Sequence, residues 1–216
     1  MKTIFLSVFT FLFFYVAQAQ TSSQKKAAQL LEAVSAKYKS FTSYKVNFTY
    51  TIENTQSKVK EDLSGEITIK GEKFKLILPT QEIINNGATV WTYLKEENEV
   101  TISKNEPNAD VITPSNIYNQ YKKGYTYQFL EEKKEGNMQL EIVELVPEKK
   151  NSATTKIKIF INKADHTIKK WTLFERSGTQ YHYSITKFIP NPSVIDSFFN
   201  FDQSAHKGLE VVDLRD

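Results

Sequence analysis

The chain of 216 residues contains no cysteine. No disulfide can staple the fold, no thiolate can act as nucleophile or metal ligand, and no cysteine exists at which the N-terminus could be lipidated. Stability must therefore come from a packed core, which a domain of this length can supply. Glycine and proline are sparse, with 7 and 6 residues, which excludes a collagen-like or low-complexity chain. The histidines, His166, His182 and His206, are scattered, with no second histidine or carboxylate at metal-ligand spacing. His166 in an Asp-His turn and His182 in a strand read as solvated or structural. There is no Gly-x-Ser-x-Gly elbow and no glycine-rich phosphate loop. The 28 basic and 25 acidic residues nearly balance and are interspersed, which argues against a nucleic-acid groove or a polybasic membrane patch. Nothing in this inventory argues for an enzyme. No catalytic residue, metal, cofactor or nucleic-acid partner is expected.

The long apolar run stands at the start. Met1-Lys2 is a positive n-region, Ile4 to Val16 is apolar apart from Ser7 and Thr10, and Ala17-Gln18-Ala19 is a small-x-small cleavage site. This reads as a secretory signal peptide over residues 1–19, too short and wrongly flanked for a stable membrane span; a retained anchor is the alternative. Residues 20–216, beginning at Gln20, then form a single domain.

Gln24 to Tyr38 is the only long helical pattern, with Ala27, Leu30, Leu31, Val34 and Tyr38 at three- and four-residue steps and Ser22 or Ser23 as N-cap. Strand alternation follows in Tyr44/Val46/Phe48/Tyr50/Ile52. Asn47-Phe48-Thr49 matches a glycosylation acceptor but falls within that strand and is set aside. Gln56 to Asp62 reads as a charged, exposed connection. The stretch from Leu63 to Ser103 organises the rest and reads as six short strands in antiparallel hairpins. Leu63/Ile67/Ile69 and Phe74/Leu76/Leu78 alternate with polar residues, and the breaks at Lys70-Gly71-Glu72, Asn85-Asn86-Gly87 and Glu96-Glu97-Asn98 have turn chemistry.

Thr113 to Tyr121 then looks like a short capped helix with Pro114 at its first position, and Ile117, Tyr118 and Tyr121 on one face. It suits a lid across an open barrel, or an ordinary connecting helix that completes the core. Strands resume at Tyr125/Tyr127/Phe129, Met138/Leu140/Ile142, Ile157/Ile159/Ile161, Trp171/Leu173 and Tyr181/Tyr183/Ile185. The expectation is a mainly β fold: a half-open antiparallel β-barrel of about 11 strands, covered by one long N-terminal helix and the short inserted helix. So wide a sheet has an inner face that its own side chains do not fill. Helices can fill it as solid core, or it can stay open for an apolar ligand. Two helices are thin cover, which favours the pocket. Candidate lining residues are Phe48, Ile67, Ile69, Phe74, Leu76 and Leu78 from the first strands, then Trp91, Tyr93 and Ile102. The short helix adds Ile117, Tyr118 and Tyr121, and the later strands add Phe129, Ile142, Trp171 and Leu173.

This order resembles the periplasmic outer-membrane lipoprotein carrier (LolA-like) family. The residues that carry the resemblance are Val90-Trp91-Thr92-Tyr93, Thr113-Pro114, Lys156 to Asn162, Asp165 to Trp171, Tyr181 to Ile185, Phe199-Asn200-Phe201 and Gly208 to Asp213. The resemblance implies a carrier that takes acylated lipoproteins from an inner-membrane ATP-driven releasing complex to an outer-membrane acceptor or membrane. A periplasmic monomer is expected. One departure concerns an arginine that the family places after the second strand to help hold the lid shut. Here the matching place reads Lys70-Gly71, and lysine lacks the guanidinium's planar fork of donors. Rivals left by the residues are a carrier or sensor of another amphiphile, and a solid-core interaction module without lipid.

Overall fold

The computed structural model of the chain describes residues 5–54, 59–106 and 124–215, with side chains from residue 22 onward. One sheet contains all twelve strands: β1 Tyr44–Asn54, β2 Val59–Lys70, β3 Lys73–Ile77, β4 Gln81–Asn85, β5 Thr89–Leu94, β6 Glu99–Lys104, β7 Tyr125–Glu135, β8 Met138–Pro147, β9 Thr154–Asn162, β10 Ile168–Glu175, β11 Thr179–Pro190 and β12 Glu210–Asp213. Their order is β12-β6-β5-β4-β3-β2-β1-β11-β10-β9-β8-β7, so the sheet is open, with edges at β12 and β7. Neighbours are antiparallel except β12, which lies parallel to β6. The expected half-open, mainly β architecture is present. Leu63 to Ser103 forms five strands rather than six. Val59–Asp62, expected as part of a connection, belongs to β2, because the β1–β2 hairpin keeps pairing as far as Asn54 opposite Val59. The expected helix at 113–121, with Ile117, Tyr118 and Tyr121, lies outside the described residues.

Among the described residues one helix packs on the sheet, and strands distant in its order share a core with it. Helix α1 spans Phe5–Lys39 and continues well before the expected start at Gln24. Its stripe of Ala27, Leu30, Leu31, Val34 and Tyr38 is buried in one cluster with Tyr44, Val46 and Phe48 of β1, Ile67 and Ile69 of β2, and side chains of β8, β9 and β10. Strands far apart in the sheet thus meet the same helix, which is what wraps the sheet round it. At the helix's end the Tyr38 ring meets the rings of Phe41, Tyr44 and Phe188 edge-on, with centroids 5.5–6.1 Å apart. The Tyr38 hydroxyl accepts the Ile168 backbone N–H at 3.2 Å. Burial pushes this phenol well above its ordinary pKa, so it stays protonated.

Register fixes which side chains share a face. Across β1–β6 the inner set contains Phe48 opposite Gly65, Ile67 opposite Leu76 and then Ile83, and Ile69 opposite Phe74, Asn85 and Val90. Trp91 and Tyr93 fall one residue out of phase, opposite Ile84 and Glu82, and Ile102 pairs with Trp91. Trp91, Tyr93 and Ile102 therefore belong to the outer face, contrary to expectation. Each strand's alternation was legible; the phase between hairpins was not. Ile142 is likewise outer, opposite Phe160, while Val143 and Ile159 are inner.

The outer face of β3–β6 has its own small core. The segment after β11 crosses it, with 3-10 turns at Asp196–Phe199 and Gln203–Ala205. Phe199 is fully buried there, and Ile84, Tyr93, Val100 and Ile102 are buried on the same side. The Tyr93 ring packs on Phe201 at 5.4 Å and on His206 at 4.4 Å.

Gly65 is a point of close approach on the inner face. A Cβ there would stand 2.6 Å from Phe48 Cζ and 2.8 Å from Leu78 Cδ2. The Phe48 ring occupies the space of the missing side chain. Gly65→Val should destabilise the protein by about 1–3 kcal/mol through overpacking, read as a lower urea midpoint with an unchanged m-value; an unchanged midpoint would show that Phe48 swings away freely.

Candidate functional site

The site is the part of the inner face that α1 does not cover. Helix α1 meets edge strand β7 at Ser23 and Lys26. Ser23 Oγ donates to the Phe129 carbonyl at 2.7 Å, where a bulge breaks the β7–β8 register. Lys26 lies 3.6 Å over the Phe129 ring and bonds Glu132 at 3.0 Å, with Glu141 at 3.5 Å. Two ammonium groups, those of Lys163 and Lys26, hold the Glu132 carboxyl down at about 2. This ionic knot pins one flank of the helix to the sheet and leaves the rows above it half-covered.

Those rows are apolar and aromatic. One runs Leu63, Tyr50, Tyr183, Trp171, Ile159 and Val143 across β2, β1, β11, β10, β9 and β8. The next holds Ile52, Tyr181, Leu173, Ile157, Leu145 and Tyr127. Trp171 stacks on Tyr183 at 4.6 Å and an interplanar angle of 8°, and Tyr183 stacks on Tyr50 at 5.6 Å. In each row the β8 and β9 residues are buried, while Tyr50, Ile52, Leu63, Tyr127, Leu173, Tyr181 and Tyr183 remain half-buried. On the other flank Phe74, Leu76 and Leu78 are half-buried too, packed against the same core.

The expected lining residues thus divide. Phe48, Ile67, Ile69 and Trp171 are inner but buried at 1–3% exposure, as the floor of the site and part of the helix-packed core. Phe74, Leu76, Leu78, Phe129 and Leu173 are inner and half-buried, with Phe129 taken up by Lys26. Trp91, Tyr93, Ile102 and Ile142 are on the other side. Sequence reasoning left out Tyr50, Leu63, Tyr181 and Tyr183, although alternation places Tyr50 with Phe48 and Tyr181 with Tyr183. The signal was present and was spent on strand assignment alone.

Lys70 takes no part in the inner face. Its position, opposite Lys73, is an outer one, and its ammonium donates to the Val194 carbonyl at 2.9 Å and to Asp196 Oδ1 at 2.8 Å. Lys73 bonds Asp196 Oδ2 at 2.9 Å. Lys70 and Lys73 together clamp the C-terminal crossing segment to the β2–β3 hairpin.

Among the described residues no group of histidines and carboxylates could hold a metal ion. No helix among them is long and apolar enough to cross a membrane.

Among the described residues an open sheet packs on one helix, and part of its apolar inner face stays half-buried. The family model of the outer membrane lipoprotein carrier protein LolA matches residues 39–202, most of the chain, and the chain belongs to that family. A search among curated proteins finds no match. Among solved structures the chain is similar to an uncharacterized conserved protein from Thermus thermophilus, with 13% identity and a TM-score of 0.58, over 87% of this chain and 99% of that one. It is similar to a DUF1329 family protein from Desulfovibrio piger, with 11% identity and a TM-score of 0.51, over 86% and 99% of the two chains. MucB aligns at 11% identity and a TM-score of 0.52, over 83% of this chain and 64% of its own. At these identities the likeness is one of fold.

The Lys70–Asp196–Lys73 clamp has a pH signature. Hydrogen bonds from the two ammonium groups hold the Asp196 carboxyl at about 2, below its ordinary value. A carboxylate depressed on folding contributes stability above its unfolded pKa of about 4 and loses it as pH falls through the folded value. Asp196→Asn should therefore unfold at lower urea than wild type near neutral pH, and the difference should vanish between about pH 4 and pH 2. A difference that persists at pH 2 would assign the loss to something other than the charge.

Proposed function

We propose that this protein is a carrier of lipoproteins, taking their acyl chains onto the uncovered inner face and moving them through the periplasm from the inner to the outer membrane. The observation that carries the reading is the half-buried apolar band of Phe74, Leu76 and Leu78 on one flank and Tyr50, Leu173 and Tyr183 on the other, in a chain of the lipoprotein-carrier family. The signal-peptide pattern at residues 1–19 supports export, with maturation to Gln20. On this reading the partners are acylated lipoproteins, an inner-membrane ATP-driven releasing complex and an outer-membrane acceptor, and the carrier works as a monomer without enzymatic chemistry.

The energetics favour such a surface. Each CH₂ exposed to water costs about 0.8 kcal/mol, so a lipid anchor does not cross an aqueous gap unaided at a useful rate. A carrier need only match the bilayer approximately. Two near-neutral exchanges, from membrane to protein and from protein to membrane, then replace one prohibitive step. Binding tighter than the bilayer's would trap the cargo, so a loosely covered apolar band suits the task better than a closed cavity.

Leu76→Glu places a charge in the band, whereas Trp91→Phe changes the outer face of the same sheet. Leu76→Glu should abolish co-purification of acylated protein from the periplasm, seen by native mass spectrometry, while cooperative unfolding persists. Trp91→Phe should leave the bound cargo unchanged. Retention of cargo by a folded Leu76→Glu protein would remove the inner face as the binding surface, and recovery of wild type without any acylated molecule would remove the carrier reading itself.

A further inference from the structure

The β4–β5 turn holds the chain's single Asn-Gly pair, Asn86-Gly87. Asparagine before glycine is chemically labile, because a residue without Cβ lets its backbone nitrogen reach the neighbouring side-chain amide carbon. Gly87 adopts φ +97°, a conformation that other residues rarely take, so the turn cannot easily exchange its labile partner. The groups that the reaction needs are all tied down here. Asn86 Oδ1 accepts the backbone N–H groups of Ala88 at 3.0 Å and Thr89 at 2.9 Å. The Gly87 N–H, whose nitrogen would attack, donates to Oδ1 of the buried Asn85 at 2.6 Å. Asn105 Nδ2 donates to the Gly87 carbonyl at 2.9 Å, and Asn85 Nδ2 donates to Asn105 Oδ1 at 2.9 Å.

The leaving group of the reaction is Asn86 Nδ2, and it donates to Asn200 Oδ1 at 3.1 Å. The other bonds are made within the stretch 85–105. Among the described residues, Asn200 is the one side-chain partner of Asn86 from outside that stretch. It is exposed, and it lies on the C-terminal crossing segment between the two 3-10 turns. That segment is held nearby by the Lys70–Asp196–Lys73 clamp. A segment fastened by exposed polar contacts opens more readily than the sheet beneath it.

From this arrangement we infer that Asn86 is a site of spontaneous covalent modification, and that the docked C-terminal segment guards it. When the segment lifts and the turn opens, hydroxide takes the Gly87 amide proton and the nitrogen attacks Asn86 Cγ. A bond forms between Gly87 N and Asn86 Cγ, and the bond from Cγ to Nδ2 breaks. Nδ2 leaves as ammonia, carrying a proton in place of the one that Gly87 lost, and a succinimide ring is closed. Water then opens the ring at either carbonyl, giving aspartate or isoaspartate at position 86. The net change is one amide and one water converted to one carboxyl group and one ammonia. Either product lacks the N–H that Asn200 accepts, so the modification weakens the contact that delayed it. Isoaspartate also adds a carbon to the main chain beside the Asn85–Val90 pair and works against the β4–β5 register. The inference is independent of the carrier reading.

The test incubates the full-length protein at mildly alkaline pH, folded or in urea, and follows aspartate and isoaspartate at each asparagine by peptide mass spectrometry. Asn151, followed by Ser152 in the exposed β8–β9 turn, is the internal reference. In urea Asn86 should convert faster than Asn151, and in the folded wild type its conversion should be strongly slowed. Asn200→Ala removes the outside partner and leaves the turn's own bonds in place. It should speed conversion of Asn86 in the folded protein about fivefold, the factor that one ordinary hydrogen bond is worth, with Asn151 unchanged. Asp196→Asn loosens the same segment without touching the turn and should act in the same direction. Conversion of Asn86 as fast in the folded wild type as in urea overturns the protection. An unchanged Asn86 rate in folded Asn200→Ala, or in Asp196→Asn should the first variant not fold, overturns the guarding role of the segment. Conversion at Asn151 ahead of Asn86 in urea overturns the site itself.

Discussion

The whole molecule depends on a mismatch of areas. Among the described residues one helix, α1, presents a stripe of five buried apolar side chains to a sheet of twelve strands. A helical stripe of that width can bury only part of such a face. The remainder stays half-exposed, and it is continuous with the core because the same strands carry both. Ile67 is buried beneath the helix cluster while Leu76, its partner across the β2–β3 ladder, is half-buried. Rigidity at the floor and accessibility at the brim come from one set of strands. No separate binding domain is needed.

The two faces of the sheet are handled differently. Inside, apolar side chains are left partly open. Outside, on β3–β6, the C-terminal segment is laid over Ile84, Val100 and Ile102, with Phe199 driven into the surface. Electrostatics secure that crossing where packing is thin: Lys70 and Lys73 converge on Asp196, and Asn86 donates to Asn200. Exposed ion pairs contribute little each, yet several at defined points suffice to choose where a flexible segment lies.

Period-2 alternation made the strands legible, and the three- and four-residue spacing of Ala27, Leu30, Leu31, Val34 and Tyr38 made the helix legible, since both patterns are local. Turn chemistry was equally local: Gly71, Gly87 and Asn98 all adopt positive φ at the expected breaks. What alternation could not supply was phase. Trp91 and Phe74 each alternate correctly in their own strand, but whether they look the same way depends on the lengths of two intervening turns, and a shift of one residue reverses the answer. The bulges at Asn47/Phe48 and Phe129/Glu131 add further slips of this kind. Burial was illegible for the same reason. Nothing local separates Phe48, which fills the space left by Gly65, from Phe74, which stays half-open.

The pairing of β12 with β6 has a consequence for how the molecule is assembled. Val100 meets Val211 and Ile102 meets Asp213 across a parallel ladder, joining segments made far apart in time. Until the last strand emerges, β6 offers an unsatisfied row of backbone donors and acceptors beside apolar residues that still lack their cover. Such an edge invites pairing with a neighbouring chain. A newly made molecule is therefore most vulnerable to sticking to its siblings before β12 is in place, and removal of that strand would prolong the interval indefinitely.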